Sequence, residues 1–262
     1  MQSTWLLLPI AVPIAFWSAY HYYKDRHLPE PAANLVACFL LGIAAAGISR
    51  LLYEGLGVAG LRYDASALAG QPWALFAYAV LAIGPIEELA KLLPFLLVVL
   101  RFRAFDEPLD GIIYASFIAL GYAAVENVLY LPYLTAGEAI ARGFASPLVH
   151  AMFASIWGYY LGRNHLRKGY WFSTTLLSVA VAAALHGIYD FLVLSEPAYA
   201  LPLSALLMLA IWVWRILLIR GLHNLGGFEA RCEICETIAG ALPRDDATSA
   251  HAATNGPGTD RR

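Results

Sequence analysis

Residues 72–100 read PWALFAYAVLAIGPIEELAKLLPFLLVVL. The stretch exceeds the ~20 apolar residues a helix needs to cross a bilayer, yet it carries Glu87, Glu88 and Lys91 in its middle. A charged side chain at that depth costs about 2.5–3.5 kcal/mol on insertion scales, so it faces the interior of a helix bundle and marks function. Gly84-Pro85 precedes the charges and predicts a break or kink, because proline removes a backbone donor and clashes with the preceding turn. A half-helix starting there places both glutamates in its first turn, where free N–H groups favour carboxylates. Glu87 and Lys91, at i and i+4, can pair on one face, while Glu88 points about 100° away.

Three more apolar stretches are interrupted in the same way. Glu126 and Asn127 sit in FIALGYAAVENVLYLP (117–132), with Tyr130 one turn beyond Glu126. His150 sits in SPLVHAMFASIWGYY (146–160), and His186 and Asp190 in LLSVAVAAALHGIYDFLV (176–193). Carboxylates combined with imidazoles can activate water or hold a metal. His186 and Asp190 share a helix face, and a carboxylate on one ring nitrogen fixes the other for a metal or a proton. Asn127 can donate to an oxyanion. Ala151, Ala154, Ser155 and Gly158 around His150 let a neighbouring helix approach closely. Against this stands a purely structural reading: a buried Glu–Lys pair, an interhelical Asn bond and a His–Asp bond.

The whole chain agrees with a membrane setting. Its 262 residues are 60% hydrophobic and 14% charged, with a mean hydropathy of +0.61. Soluble domains carry about 25% charged residues. The expected fold is all-α, a polytopic bundle of about seven (seven to eight) transmembrane helices. The spans fall near 4–23, 33–53, 72–100, 111–131, 146–161, 170–194 and 200–219, with 54–70 as a loop. The first span lacks the basic n-region and cleavage site of a secretory signal. Residues 1–222 form the bundle and 223–262 a largely disordered cytoplasmic tail, its Ala-, Asp-, Thr- and Gly-rich part starting at Leu242. The net charge of −2 argues against nucleic-acid binding. Lys24 and Arg26, Arg101 and Arg103, Arg163, Arg167 and Lys168, and Arg220 and Arg231 follow alternate spans. Arg50, Arg62 and Arg142 are sparser on the other side, so the N-terminus is expected outside and the C-terminus in the cytoplasm. That topology puts Glu126, His150, His186 and Asp190 at one depth near the outer face. Cys38 reads as a small buried hydrophobe. Cys232 and Cys235 form a CxxC with too few partners for a structural zinc site, and are expected to be dispensable.

The blocks PIEELAK, FDEPLDGIIYASFIALGYAAVENVLY, LVHAMFASIWGYYLG and LHGIYDF, between about 84 and 191, resemble in order the motifs of the PrsW intramembrane proteases. More distantly they are similar to the type II CAAX-prenyl endopeptidases and bacteriocin-processing proteins. The resemblance implies a bacterial inner-membrane endopeptidase that cuts a single-pass membrane protein, such as an anti-sigma factor, near the extracytoplasmic face. It implies Glu87 or Glu88 as the water-activating base. His150 and His186 would bind the oxyanion or a metal such as zinc, the latter with Glu88 or Glu126. Glu126, Asn127 and Asp190 would complete the catalytic set, with Lys91 and Tyr130 in support. The implied partners are membrane lipid and the protein substrate. A proton-coupled transporter and a non-catalytic membrane scaffold are the alternatives. No internal repeat favours the transporter, and the intact glutamate pair disfavours the scaffold.

Overall fold

The computed structural model describes residues 7–24, 29–61, 65–68, 70–167, 171–195 and 199–241. Eight α-helices and short connecting turns account for them, with no strand among the described residues. The helices are α1 (Leu8–Lys24), α2 (Ala32–Val58), α3 (Pro72–Tyr78), α4 (Gly84–Leu97), α5 (Pro108–Tyr130), α6 (Ala136–Arg167), α7 (Trp171–Leu194) and α8 (Ala200–Ala241). Five segments are long and apolar enough to cross a membrane: Ala32–Val58, Pro108–Tyr133, Ala136–Leu166, Phe172–Leu194 and Ala200–Leu222. α1, with 17 residues, and the interrupted α3–α4 rod are not in that set. The expected tail from Leu242, and Arg26, Arg62 and Lys168, lie outside the described residues.

α5 is the axis of the bundle. It packs against α6, α2, α1 and α4, and 72% of its most apolar window is buried, against 22% for α8 at the periphery. Its start is over-determined. Glu107 is the N-cap, Pro108 occupies the first turn, and Asp110 accepts from the Glu107 N–H at 2.8 Å, completing a reciprocal capping box. One turn on, Tyr114 donates to Glu30 and accepts from Asn34 Nδ2 at 3.0 Å, tying the start of α2 to α5. The acidic residues of the FDEPLDG block therefore build a helix start.

The break expected at Gly84-Pro85 is a single π-helical turn, Ala79–Ile83, between α3 and α4. Pro85 cannot donate a backbone bond, and the widened turn absorbs the mismatch, with the Gly84 N–H reaching back to Ala79 O. The bulge also brings α7 close. A Cβ on Gly84 would overlap the Ala183 carbonyl oxygen, and one on Gly187 would overlap that of Ala79. These contacts are backbone on both sides and cannot swing away. We expect Gly84→Ala to separate α4 from α7, lowering the thermal midpoint by several degrees and cutting activity more than the lost stability explains. Thermal melts and cleavage rates on the purified variant check this; a wild-type midpoint and rate would show that the close approach is not needed.

Three boundaries differ from the sequence expectation. α2 continues to Val58, into the expected loop. α6 starts at Ala136, ten residues ahead of the expected span, so Arg142 is helical. α8 stays helical to Ala241, across the expected boundary at 222 and through the CxxC. Cys38 is fully buried, as expected.

Candidate active site

Four helices bring their polar residues to one place, α4 with Glu87, Glu88 and Lys91, α5 with Glu126, α6 with His150, and α7 with His186 and Asp190. The His150 and His186 rings lie 5.0 Å apart between centroids, nearly perpendicular. The deepest member is Glu88, fully buried with both carboxylate oxygens engaged. Its Oε1 accepts from Lys91 Nζ at 2.6 Å and from His186 Nδ1 at 2.7 Å, and its Oε2 accepts from Trp157 Nε1 at 2.8 Å. Lys91 thus pairs with Glu88 at i, i+3, not with Glu87 at i, i+4. Glu88 faces α6 and α7, which supply two further donors, and that sets the side to which the ammonium turns.

The two histidines are held in the same way. His150 Nε2 lies 2.6 Å from Glu126 Oε2, and Glu126 Oε1 in turn pairs with Arg142 at 2.9 Å. His186 Nδ1 is bound to Glu88. A ring nitrogen against a carboxylate carries the proton, so the opposite nitrogen of each neutral ring presents a lone pair. Those inward nitrogens, His150 Nδ1 and His186 Nε2, stand 3.8 and 3.6 Å from Glu87 Oε2. Glu87 Oε1 accepts from the Tyr53 hydroxyl at 3.4 Å, while Oε2 is buried with no hydrogen-bond partner. A carboxylate oxygen left idle in a buried site is costly unless something else occupies the space before it.

The site grades from closed to open. Glu88 and Lys91 side chains are 0% exposed, whereas Glu126, Asp190 and Arg142 are 19%, 22% and 28% exposed. The open end therefore lies at Glu126, Asp190 and Arg142. Asp190 Oδ2 is 3.7 Å from His186 Nε2. Tyr130, largely exposed, lies under the Arg142 guanidinium at 3.9 Å. Asn127 is buried, and neither atom of its amide has a partner. Of the nine residues singled out by sequence, seven thus form one network of hydrogen bonds and ion pairs, Tyr130 meets it through Arg142, and Asn127 stands outside its hydrogen bonds.

Five more residues belong to the network without having been singled out: Tyr53, Tyr122, Arg142, Phe153 and Trp157. Phe153 stacks on His186 at 4.9 Å, and Tyr122 lies against both His150 and Lys91. Arg142 was read only as an outer-loop charge. The four aromatic residues carry no signal in an apolar span, where aromatic side chains are ordinary.

One ligand atom from each of Glu87, His150 and His186 lies within 4.8 Å of the other two, which makes these three a potential metal-ligating set. Ligands about 2.0–2.1 Å from a tetrahedral zinc are about 3.3 Å apart, a little closer than the separations here. The idle Glu87 oxygen, two inward lone pairs and carboxylates behind both rings suit such an ion. Lys91 Nζ, 3.1 Å from His150 Nδ1, occupies that lone pair in this arrangement, and Glu88 is its second partner at 2.6 Å. Glu88 and Glu126, considered from sequence as ligands beside the histidines, here brace the far side of each ring.

The chain is 31% identical over 217 residues to the protease PrsW of Clostridioides difficile strain 630, covering 79% of this chain and 87% of that protein. It is 31% identical over 198 residues to the protease PrsW of Geobacillus kaustophilus strain HTA426, covering 74% and 81%. With the protease PrsW of Bacillus subtilis strain 168 it shares 30% identity over 187 residues, covering 70% and 79%. No solved structure matches significantly. The pattern described as PrsW family intramembrane metalloprotease matches residues 30–217, which span the whole polar network, and the chain belongs to that family.

Proposed function

We propose that this membrane protease hydrolyses a peptide bond of a single-pass membrane protein, with Glu87 as the group that activates water. The observation that carries the reading is the idle Glu87 Oε2, buried beside the inward nitrogens of two histidines whose outer nitrogens are each fixed by a carboxylate. A water there donates one proton to Glu87 and is oriented by the inward nitrogens. Its oxygen attacks the scissile carbonyl carbon, and Glu87 passes the proton to the departing amine nitrogen as the C–N bond breaks. Glu88 cannot act as base while it accepts three hydrogen bonds; it holds Lys91 and His186 in place. Glu126 does the same for His150, and Arg142 for Glu126. Glu87, His150 and His186 would hold a zinc ion, whose chemistry at this place is Lewis-acid activation of the water and the carbonyl.

The setting belongs to the same proposal. α1 and the α3–α4 rod complete a seven-span bundle in a bacterial inner membrane, with the N-terminus outside and the remainder of the chain from 223 in the cytoplasm. The Glu126–Asp190 end then faces outward, and an anti-sigma factor fits the substrate class. The test is cleavage of a doubly tagged single-pass protein by the purified chain in liposomes. The cut is expected within the membrane's outer edge, with its position read by mass spectrometry of the fragments. Treatment with a metal chelator is expected to lower the rate at least about 10²-fold, and zinc to restore it. A rate unaffected by complete metal removal would discard the zinc assignment and leave Glu87 as base. No cleavage of any single-pass substrate would discard the function.

A further inference from the structure

α8 carries a second intramembrane charge, away from the Glu–His network. Arg215 is 1% exposed and shares the buried stripe of α8 with Ser204, Ile211 and Ile219. Their spacing of seven, four and four places them on one helix face. Arg215 Nη2 donates to Ser116 Oγ of α5 at 3.0 Å, and Ser116 donates onward to the Ile112 carbonyl at 2.6 Å. Arg215 Nε and Nη1 are buried and have no partner. Tyr20 and His21 of α1 are ionisable neighbours of Arg215 among the described residues. No carboxylate pairs with it among the described residues. His21 is fully buried as well; its Nδ1 donates to the Trp17 carbonyl at 2.7 Å, and its Nε2 has no partner. Trp212 Nε1, one turn before Arg215, reaches the Tyr20 hydroxyl at 3.4 Å and fixes α8 against α1.

A guanidinium removed from water without a counter-charge is strongly unfavourable, and an unpaired charge inside a span calls for a partner. Among the described residues none is supplied at this junction, and the position suggests what does. Ser116 precedes Glu126 by ten residues, about 15 Å along α5. That puts the junction toward the end of the bundle where α5 begins, just after Arg101 and Arg103 in sequence. Basic ends of membrane bundles attract anionic headgroups. α8 is mostly exposed, so the α1–α5–α8 junction lies at the periphery of the bundle, the side a bilayer would border.

We propose that this junction binds a phosphate anion, held by the Arg215 guanidinium and by His21 Nε2 when the ring is protonated. Arginine suits the ligand because its fork of donors matches phosphate oxygens. The anion neutralises Arg215 and couples α8 to α1 and α5, so occupancy is read as stability of the bundle. Two sources offer the same chemistry, the headgroup of an anionic phospholipid and free inorganic phosphate.

The test uses the full chain, purified and delipidated in a neutral detergent, and follows thermal unfolding by tryptophan fluorescence. Saturating phosphatidylglycerol is expected to raise the wild-type midpoint by about 5 °C or more. Phosphatidylcholine, whose headgroup carries no net charge, is expected to give less than half of that. Arg215→Met is expected to lose the phosphatidylglycerol response while keeping a lipid-free midpoint at or above wild type, because an unpaired charge is gone. Arg215→Lys, which keeps the charge, is expected to retain part of it. If inorganic phosphate alone reproduces the shift, the source is the free anion; if only phosphatidylglycerol does, it is the headgroup. Native mass spectrometry of the wild type gives a second readout, a phospholipid or phosphate adduct lost in Arg215→Gln. Equal responses to the two lipids, an Arg215→Met response equal to wild type, or no shift with either phosphate source would each overturn the proposal.

Discussion

Glu87→Gln is expected to lower substrate cleavage by at least about 10²–10⁴-fold, the range attached to one general acid–base group. The substitution keeps volume, removes the ability to take a proton and to carry charge, and exchanges one acceptor oxygen for an NH2 donor. Glu87 Oε2 has no partner to lose, so folding should be unaffected or improved. Oε1 keeps the Tyr53 hydroxyl as its donor. The thermal midpoint should therefore stay at or above wild type while activity disappears, and that combination separates catalysis from structure. Glu88→Gln should also lose activity, but with a lower midpoint, because Glu88 satisfies Lys91, His186 and Trp157 at once. If Glu87→Gln cuts a tagged substrate at the wild-type rate, water is activated elsewhere and the proposed mechanism is wrong.

The contrast between these two glutamates is also where the sequence stopped being informative. Adjacent carboxylates in an apolar span announce a functional site, because the bilayer makes each of them expensive. The same reasoning singled out Glu126, His150, His186 and Asp190, which the fold brings together, and Gly84-Pro85 announced a break ahead of them. Spacing alone could not say which glutamate is committed. At i, i+3 and i, i+4 Lys91 reaches either one, and the choice is made by Trp157 and His186, far along the chain. The break's form was equally hidden: proline forbids one backbone bond, but neither the π turn that absorbs the mismatch nor the backbone approach of α7 to Gly84 is written in the local sequence. Tyr53, Trp157 and Phe153 escaped because aromatic residues in a span look like lipid-facing or core packing until a polar partner is seen. Arg142 escaped because α6 begins earlier than its apolar core suggests, turning an apparent loop residue into the group that holds Glu126.

Lys91→Met is expected to be the most destabilising single change in the site. The ammonium is fully buried, 2.6 Å from Glu88 Oε1 and 3.1 Å from His150 Nδ1. Methionine fills nearly the same volume, so the loss is electrostatic and not a cavity. Removing one partner of a buried pair leaves the other charge uncompensated and costs about 3–5 kcal/mol. For a chain of this size that corresponds to a midpoint lowered by about 6–20 °C. Glu88 would retain Trp157 and His186 as neutral donors, which places the outcome toward the smaller end of that range. A double variant, Lys91→Met with Glu88→Gln, removes both charges and should recover at least half of the lost stability, since a neutral amide needs no counter-ion. It should not recover activity, because His186 would lose the carboxylate that fixes its inward lone pair. Thermal melts of the two single variants and the double variant form a cycle that isolates the pair. Additive losses, with no recovery in the double variant, would mean that Lys91 acts through His150 or Tyr122 and that the Glu88 bond is incidental.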